Sequence, residues 1–263
     1  MMGNMCLAAG LFSEKERGKI MSQLKTVILA AGKGTRMKSA LPKVLHRVCG
    51  RCMVELVIGA AREAGSEDIC LVIGYEGEQV RKEVGEGVHY VWQKEQLGTG
   101  HAVKCASEFI GTSGDVLILC GDTPLITGKT LKALYEYHVK EGNGATLLSA
   151  IVENADGYGR IIRDEEGHFI KNVEHKDATE KERESKEINS GMYLFKAQDL
   201  SEALEEITND NAQGEYYLPD TLEIIRKKGQ KVEAFALENA EEIAGINTLE
   251  QLAEAEAVMK KQQ

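Results

Sequence analysis

The sequence predicts a Rossmann-like, doubly wound α/β fold: a mainly parallel sheet carrying a β-rich lobe. Three observations carry this expectation. Short apolar runs alternate with helical patterns through residues 25–139, as in βαβ units that build a parallel sheet. The first run, KTVILA, is β-branched and ends in a glycine-rich turn. Beyond Gly144 the rhythm changes to strand-like segments separated by glycine turns and a charged loop at 176–187.

Taken in order, residues 25–30 read as a buried central strand, and a helical pattern follows over 53–64. Strands at 69–73, 88–92 and 116–120 are each followed by a helix, at 78–84, 99–109 and 129–139. Strands at 145–152, 160–163, 169–173 and 192–195 then extend the sheet and build a lobe over one end. A helix at 218–228, a strand at 232–236 and a helix at 249–260 finish the chain. No internal repeat and no Pro- or Ser-rich linker interrupts residues 25–263, which are read as one domain. Residues 1–24 are read as an N-terminal extension, disordered or translated from a start codon placed too early, since Met21 lies just before the first strand.

With 263 residues and 43% hydrophobic content, the chain is long enough to bury a substantial core. Its formal charge of -10 repels polyanions and anionic membranes, so neither a nucleic-acid nor a membrane partner is expected. An anionic ligand must therefore be small and held at a local basic site. The six cysteines have no disulfide-like spacing, which fits reduced thiols in a cytoplasm. Cys49 and Cys52 form a lone C-x-x-C with no second pair or paired histidines to complete a zinc site.

Ligands of open parallel sheets lie beyond the carboxyl ends of the strands, so the residues after each strand bear most on chemistry. After the first strand come Leu29, Ala30, Ala31, Gly32, Lys33, Gly34, Thr35, Arg36 and Met37. Small residues there let backbone N–H groups approach an anion, while Lys33, Arg36 and, beyond Pro42, Lys43 add charge. Met37 stands where the dinucleotide fingerprint needs its third glycine, and the P-loop spacing is absent. After the strand at 116–120, Asp122 is either a Mg²⁺ ligand or the cap of the next turn. Downstream, Gly128-Lys129-Thr130 resembles the end of a P-loop, but Thr123 and Pro124 stand where that loop needs glycine and flexibility. The amides and glycines of residues 93–100 suit the edge of a base, or form an ordinary loop with Thr99 as a helix cap. Gly157-Tyr158-Gly159-Arg160 reads equally as a hairpin turn, and Glu174, Asn189 and Asn247 as ligands or solvated polar residues. The histidines have no metal spacing and no attached nucleophile.

The runs LAAGKGTRM, PKVLH, QLGTGHA, GDTPL, GYGRI, VEHKDA, INSGMYLF and GIN resemble, in the same order, the pyrophosphorylase domain of the bacterial N-acetylglucosamine-1-phosphate uridyltransferase family. The resemblance implies a fold of the nucleotide-diphospho-sugar transferase type whose β-rich lobe binds the sugar. It implies Mg²⁺-dependent uridylyl transfer from UTP to N-acetyl-α-D-glucosamine 1-phosphate, giving a cell-wall precursor, UDP-N-acetylglucosamine, and pyrophosphate. It further implies that Leu29, Ala30, Ala31, Gly32, Lys43, Gln93, Gly98 and Thr99 hold the nucleotide. Gly159, Glu174, Asn189 and Asn247 would hold the sugar phosphate, Asp122 and Asn247 the Mg²⁺, and Arg36 and Lys43 would be the catalytic cations facing the phosphates.

Departures from the family pattern are local: Cys52 replaces a usual proline, Leu56 a common histidine, and Cys120 a frequent aromatic. Family members that are bifunctional continue into an acetyltransferase β-helix of hexapeptide repeats. No such repeats occur here, so acetyltransferase activity and its trimer are not expected, and the oligomeric state stays open. The rival readings are the same chemistry on another sugar 1-phosphate, such as glucose 1-phosphate, or a sugar-nucleotide sensor without catalysis.

Overall fold

The computed structural model describes residues 24–262, so the reading of residues 1–23 as an extension lies outside them. Strand β1 (Leu24–Ala30) begins one residue earlier than expected. It pairs in parallel with β4 (Asp68–Ile73) on one side and β6 (Asp115–Cys120) on the other. Alternation along β1 splits the core: Ile28 points to one face and Val27 to the opposite one, and both are fully buried. Each such side chain contributes about 1.5–3 kcal/mol relative to exposure, so the central strand is a rigid platform.

Helices α1 (Met53–Glu63), α2 (Gly77–Val84) and α5 (Gly128–Glu141) cover the Ile28 face. Val54, Val57, Ile58 and Ala61 supply the apolar stripe of α1 at helical spacing. Helix α3 (Thr99–Cys105), with the short α4 (Ser107–Ile110), covers the Val27 face. The expected single helix over 99–109 is thus broken at Ala106.

Among the described residues the sheet has nine strands, with the order β11-β7-β10-β6-β1-β4-β5 along its main path. Here β5 is His89–Trp92, β7 Ala145–Ile151, β10 Glu187–Lys196 and β11 Val232–Leu237. The doubly wound, mainly parallel core is present, but β10 runs antiparallel to both β6 and β7. The hairpin of β8 (Arg160–Arg163) and β9 (Phe169–Val173) joins through β8 to β10 and forms the lobe.

Several elements differ from the sequence reading for identifiable reasons. Strand β10 starts at Glu187 rather than 192, because Arg163 and Ser149 pair with Glu187 and satisfy a carboxylate the pattern reading treated as loop. Its register shifts between Asn189 and Tyr193, where Gly191 takes φ +77°. Helix α6 (Glu180–Arg183) lies within the charged loop on a Thr179/Glu182 capping box. Helix α7 (Ala197–Leu204) follows β10 without a break and was not expected. The two-residue strands β2 (Arg47–Val48) and β3 (Arg51–Cys52) were too short to read from pattern. Helix α8 (Asp220–Lys227) begins after Pro219, and α9 (Leu249–Gln262) closes the described chain. Among the described residues, no helix is long and apolar enough to cross a membrane.

From β1 the chain passes through α1 to β4 and β5 on one side, then returns to β6 on the other. The carboxyl ends of β1 and β6 therefore flank the point where strand order reverses, the expected place for a ligand.

Candidate active site

The loop after β1 is held at one end and open at the other. Met37, in a 3₁₀ turn (Thr35–Met37), is 1% exposed, whereas Lys33, Thr35 and Arg36 are exposed. Gly34 has φ +58°, and a Cβ there would lie 2.5 Å from Lys43 Cβ. Glycine is required on both counts: left-handed backbone and close approach of the lysine stem. Pro42 precedes a second 3₁₀ turn (Lys43–Leu45), which aims Lys43 across the crevice.

Four segments meet at Lys43. Its Nζ forms a salt bridge with Asp122 and donates to Asn247 Oδ1 at 2.6 Å. Arg36 Nη2 donates to the same oxygen at 2.8 Å. Asn247 is itself fixed: Ile246 N donates to Asp122 O at 2.9 Å, Asn247 Nδ2 to Gly245 O at 3.0 Å, and Asn247 N to Gln251 Oε1 at 2.7 Å. The Asp122 side chain faces Lys43 rather than capping the following turn, so the capping alternative falls. Asp122 and Asn247 present two hard oxygen donors to one ammonium, a donor set that fits a divalent cation retaining water and phosphate oxygens. Among the described residues no cluster of three or more His, Cys, Asp or Glu offers a competing metal cage.

A second group lies beside the loop. Leu29 and Ala30 end β1, and Leu29 O already accepts from Gly121 N at 2.9 Å. Gly74 allows the crossing of chains here, since a Cβ would lie 2.9 Å from both Ala31 Cβ and Gln93 O. Gln93 is 4% exposed, and its Nε2 donates to Gly98 O at 3.0 Å. Gly98 has φ +110°, and a Cβ would collide with Tyr216 O at 2.5 Å. Thr99 does not cap α3: its hydroxyl accepts from Leu218 N at 3.2 Å, and Gly98 occupies the cap position. A cleft of about 650 Å³, lined by Lys33, Tyr75, Trp92 and Gln93 among others, opens between this loop and the first. Gly32 borders open space, with nothing within 4 Å of a Cβ built on it.

The third group lies on the lobe. A Cβ on Gly159 would lie 2.7 Å from Asn172 Oδ1 and 3.0 Å from Glu174 Oε1. Asn189 N donates to Gly159 O at 2.9 Å, and Asn189 Nδ2 to Tyr193 Oη at 2.7 Å. Gly159, Glu174 and Asn189 are therefore one neighbourhood, and Gly159 directly precedes β8 rather than sitting in the turn of the β8–β9 hairpin. Burial pushes the Glu174 carboxyl above its ordinary range and nearby Asp177 adds to this, while a hydrogen bond from Asn172 opposes it. Sequence reading missed Gln251, Asn172, Tyr193 and Asp220. The last is pushed up to about 6, chiefly by burial and then by the charges of Glu223, Glu174 and Asp177. Its only local signal is a Pro-Asp pair opening a helix.

The decoys resolve structurally. Gly128 opens α5, where Thr127 caps by accepting from Thr130 N at 3.2 Å. Cys49 and Cys52 are free, and burial with Glu55 pushes the Cys52 thiol up to about 11, unsuited to redox exchange.

Comparison with known proteins agrees with this architecture. The nucleotidyl transferase family model matches residues 25–254. The protein named bifunctional protein GlmU from Caldanaerobacter subterraneus subsp. tengcongensis is 56% identical over 92% of this chain and 52% of its own length. The Clostridium tetani protein of that name is 52% identical over 89% of this chain and 52% of its own. The chain thus spans about half the length of the curated relatives it matches. In structure it is similar to a UDP-glucose pyrophosphorylase complexed with UDP-glucose, with TM-score 0.70 and 21% identity over 91% of this chain and 99% of that one. A Bacillus anthracis protein assigned as a glucose-1-phosphate thymidylyltransferase gives TM-score 0.72 and 21% identity over 89% of this chain and 94% of its own. These two support the fold, and the match over nearly all the described residues supports more: the chain belongs to the nucleotidyl transferase family.

Proposed function

We propose that the chain transfers a uridylyl group from UTP to N-acetyl-α-D-glucosamine 1-phosphate, releasing pyrophosphate and using Mg²⁺. The carrying observation is the convergence of Arg36, Lys43, Asp122 and Asn247 on one point at the carboxyl edge of the sheet. A phosphate oxygen of the sugar phosphate attacks the α-phosphorus of UTP in line, and the bond to the β-phosphate oxygen breaks. No covalent nucleophile is needed, only alignment and charge neutralisation. Lys43 and Arg36 face the phosphates, and backbone N–H groups at Ala31 and Gly32 approach them where small residues leave room. Gln93 lines the nucleotide cleft, and Gly98 and Thr99 follow on the same loop, with Gly98 O holding the Gln93 amide; Gly159, Glu174 and Asn189 form the sugar's floor. Asp122 and Asn247 would hold Mg²⁺, which neutralises charge on the phosphates.

The sugar assignment is supported by the VEHKDA and INSGMYLF runs, which supply Glu174 and Asn189, and by similarity to the GlmU proteins. A cytoplasmic location fits free thiols and soluble anionic substrates. Pyrophosphate release from UTP with a panel of sugar 1-phosphates, with and without Mg²⁺, tests the reading. Turnover confined to glucose 1-phosphate sinks the N-acetylglucosamine assignment, and nucleotide binding without turnover favours a sensor.

A further inference from the structure

Gln93 lines the cleft with its carboxamide held from one side only. Its Nε2 lies 3.0 Å from Gly98 O and 3.1 Å from His101 Nδ1. Gly98 O can only accept, so the NH₂ end must face it. The second amide hydrogen then points at His101 Nδ1, which must carry a lone pair. That places the imidazole hydrogen on Nε2, 3.9 Å from Cys105 Sγ one helical turn along α3. Burial pushes the Cys105 thiol up, so the sulfur stays neutral. Gln93 Oε1 accepts no hydrogen bond from the described residues and is the end left to the cleft.

A terminal amide turns over at little torsional cost, so partners alone decide which end faces a ligand. With Gly98 O as sole acceptor, turning Gln93 forfeits one hydrogen bond. With His101 as its Nε2–H tautomer it forfeits two and sets oxygen against two lone pairs, a clash relieved only if the imidazole moves its proton to Nδ1 and gives up the Nε2–H contact with Cys105 Sγ. Tyr216 bounds the other side of the imidazole, its ring 6.5 Å away, and its backbone is tied to Leu97 and Gly100. The relay therefore sits on a stapled loop.

We infer that His101 is a positioning residue for base selection: it holds Gln93 so that Oε1 accepts from the imide N3–H of uracil. Cytosine carries a lone pair at that position, and an oxygen facing it rejects the base. This rests on the uridylyl-transfer reading, but its test is binding without turnover. UTP and CTP are titrated calorimetrically, with Mg²⁺ and no sugar, into the unmodified chain and into His101→Leu, His101→Asn and Gln93→Leu.

The unmodified chain should bind UTP at least about tenfold more tightly than CTP. His101→Leu should cut that ratio about tenfold by weakening UTP, as should Gln93→Leu. His101→Asn, whose Oδ1 takes the place of Nδ1, should recover most of it. If His101→Leu does not fold, His101→Gln, whose amide reaches the Nε2 position instead, carries the same expectation of loss. An unchanged ratio on losing the acceptor, an Asn variant no better than Leu, or no UTP preference in the unmodified chain overturns the inference. Preserved base selection without pyrophosphate release sinks the reaction and leaves the inference standing.

Discussion

Lys43 Nζ donates to Asn247 Oδ1 at 2.6 Å across a sequence separation of 204 residues. That contact closes the site, because the segment bearing Asn247 is laid against Asp122 by the Ile246 N to Asp122 O hydrogen bond. Lys43 is thus the common partner of both oxygens that would hold a metal. A divalent ion held by Asp122 and Asn247 would compete with the ammonium for the same lone pairs, so in the proposed site metal binding would be coupled to the Lys43 contacts.

Asp122→Ala is expected to lower Mg²⁺-dependent pyrophosphate release by at least about a hundredfold, since the proposed metal site would lose the one carboxylate of the Arg36, Lys43, Asp122 and Asn247 cluster. Folding should change by no more than about 1 kcal/mol, because Asp122 is partly solvated and fills no core volume. Activity against Mg²⁺ concentration, beside urea unfolding, checks both. Near-normal turnover would move the metal site elsewhere.

Gly34→Ala addresses the loop. The new Cβ combines a left-handed backbone, costing about 1–2 kcal/mol, with an approach to Lys43 Cβ that no real structure tolerates. Lys43 must shift away from Asp122, so kcat/KM for UTP should fall about a hundredfold, beyond what lost stability explains. Full activity with unchanged stability would show the loop to be looser than its packing implies.

Much of this was legible because local rules and the global fold agree. The run after β1, Asp122 after β6 and the four strand-and-helix units follow from period, glycine and strand-end position. What stayed hidden depends on distant partners. Glu187 joins β10 opposite Ile151 because Arg163 and Ser149 satisfy its carboxylate, and Thr99 is no cap because Leu218 N takes its hydroxyl. Gln251 and Asn172 support neighbours through single hydrogen bonds that leave no periodic trace. The proposed roles of Asn189 and Glu174 come from family resemblance, since spacing alone leaves them open between ligands and solvated polar residues.

Gly128→Ala separates packing from phosphate binding. Its Cβ would lie 2.3 Å from Glu63 Cβ and 3.1 Å from Ala60 O, so α1 and α5 must part. Destabilisation of about 1–3 kcal/mol is expected, with the KM for UTP unchanged. A raised KM at unchanged stability would revive the P-loop reading of Gly128-Lys129-Thr130.

Asp220 gives the fold a pH dependence of unusual sign. Its carboxyl is pushed up from 3.8 to about 6, so between these values the folded chain holds a proton that the unfolded chain has released. Stability from this group is therefore greatest below about pH 4, falls as pH rises, and is fully lost above about pH 6. Glu174, also raised by burial, acts in the same direction. Asp220→Asn removes the charge, so it should flatten the slope of unfolding free energy between about pH 4 and 6 and raise stability at pH 8 by about 1–2 kcal/mol. Urea unfolding across that range measures both. A variant less stable than the parent at pH 8 would mean that the Asp220 carboxylate is held by the start of α8 more strongly than burial and its acidic neighbours oppose it.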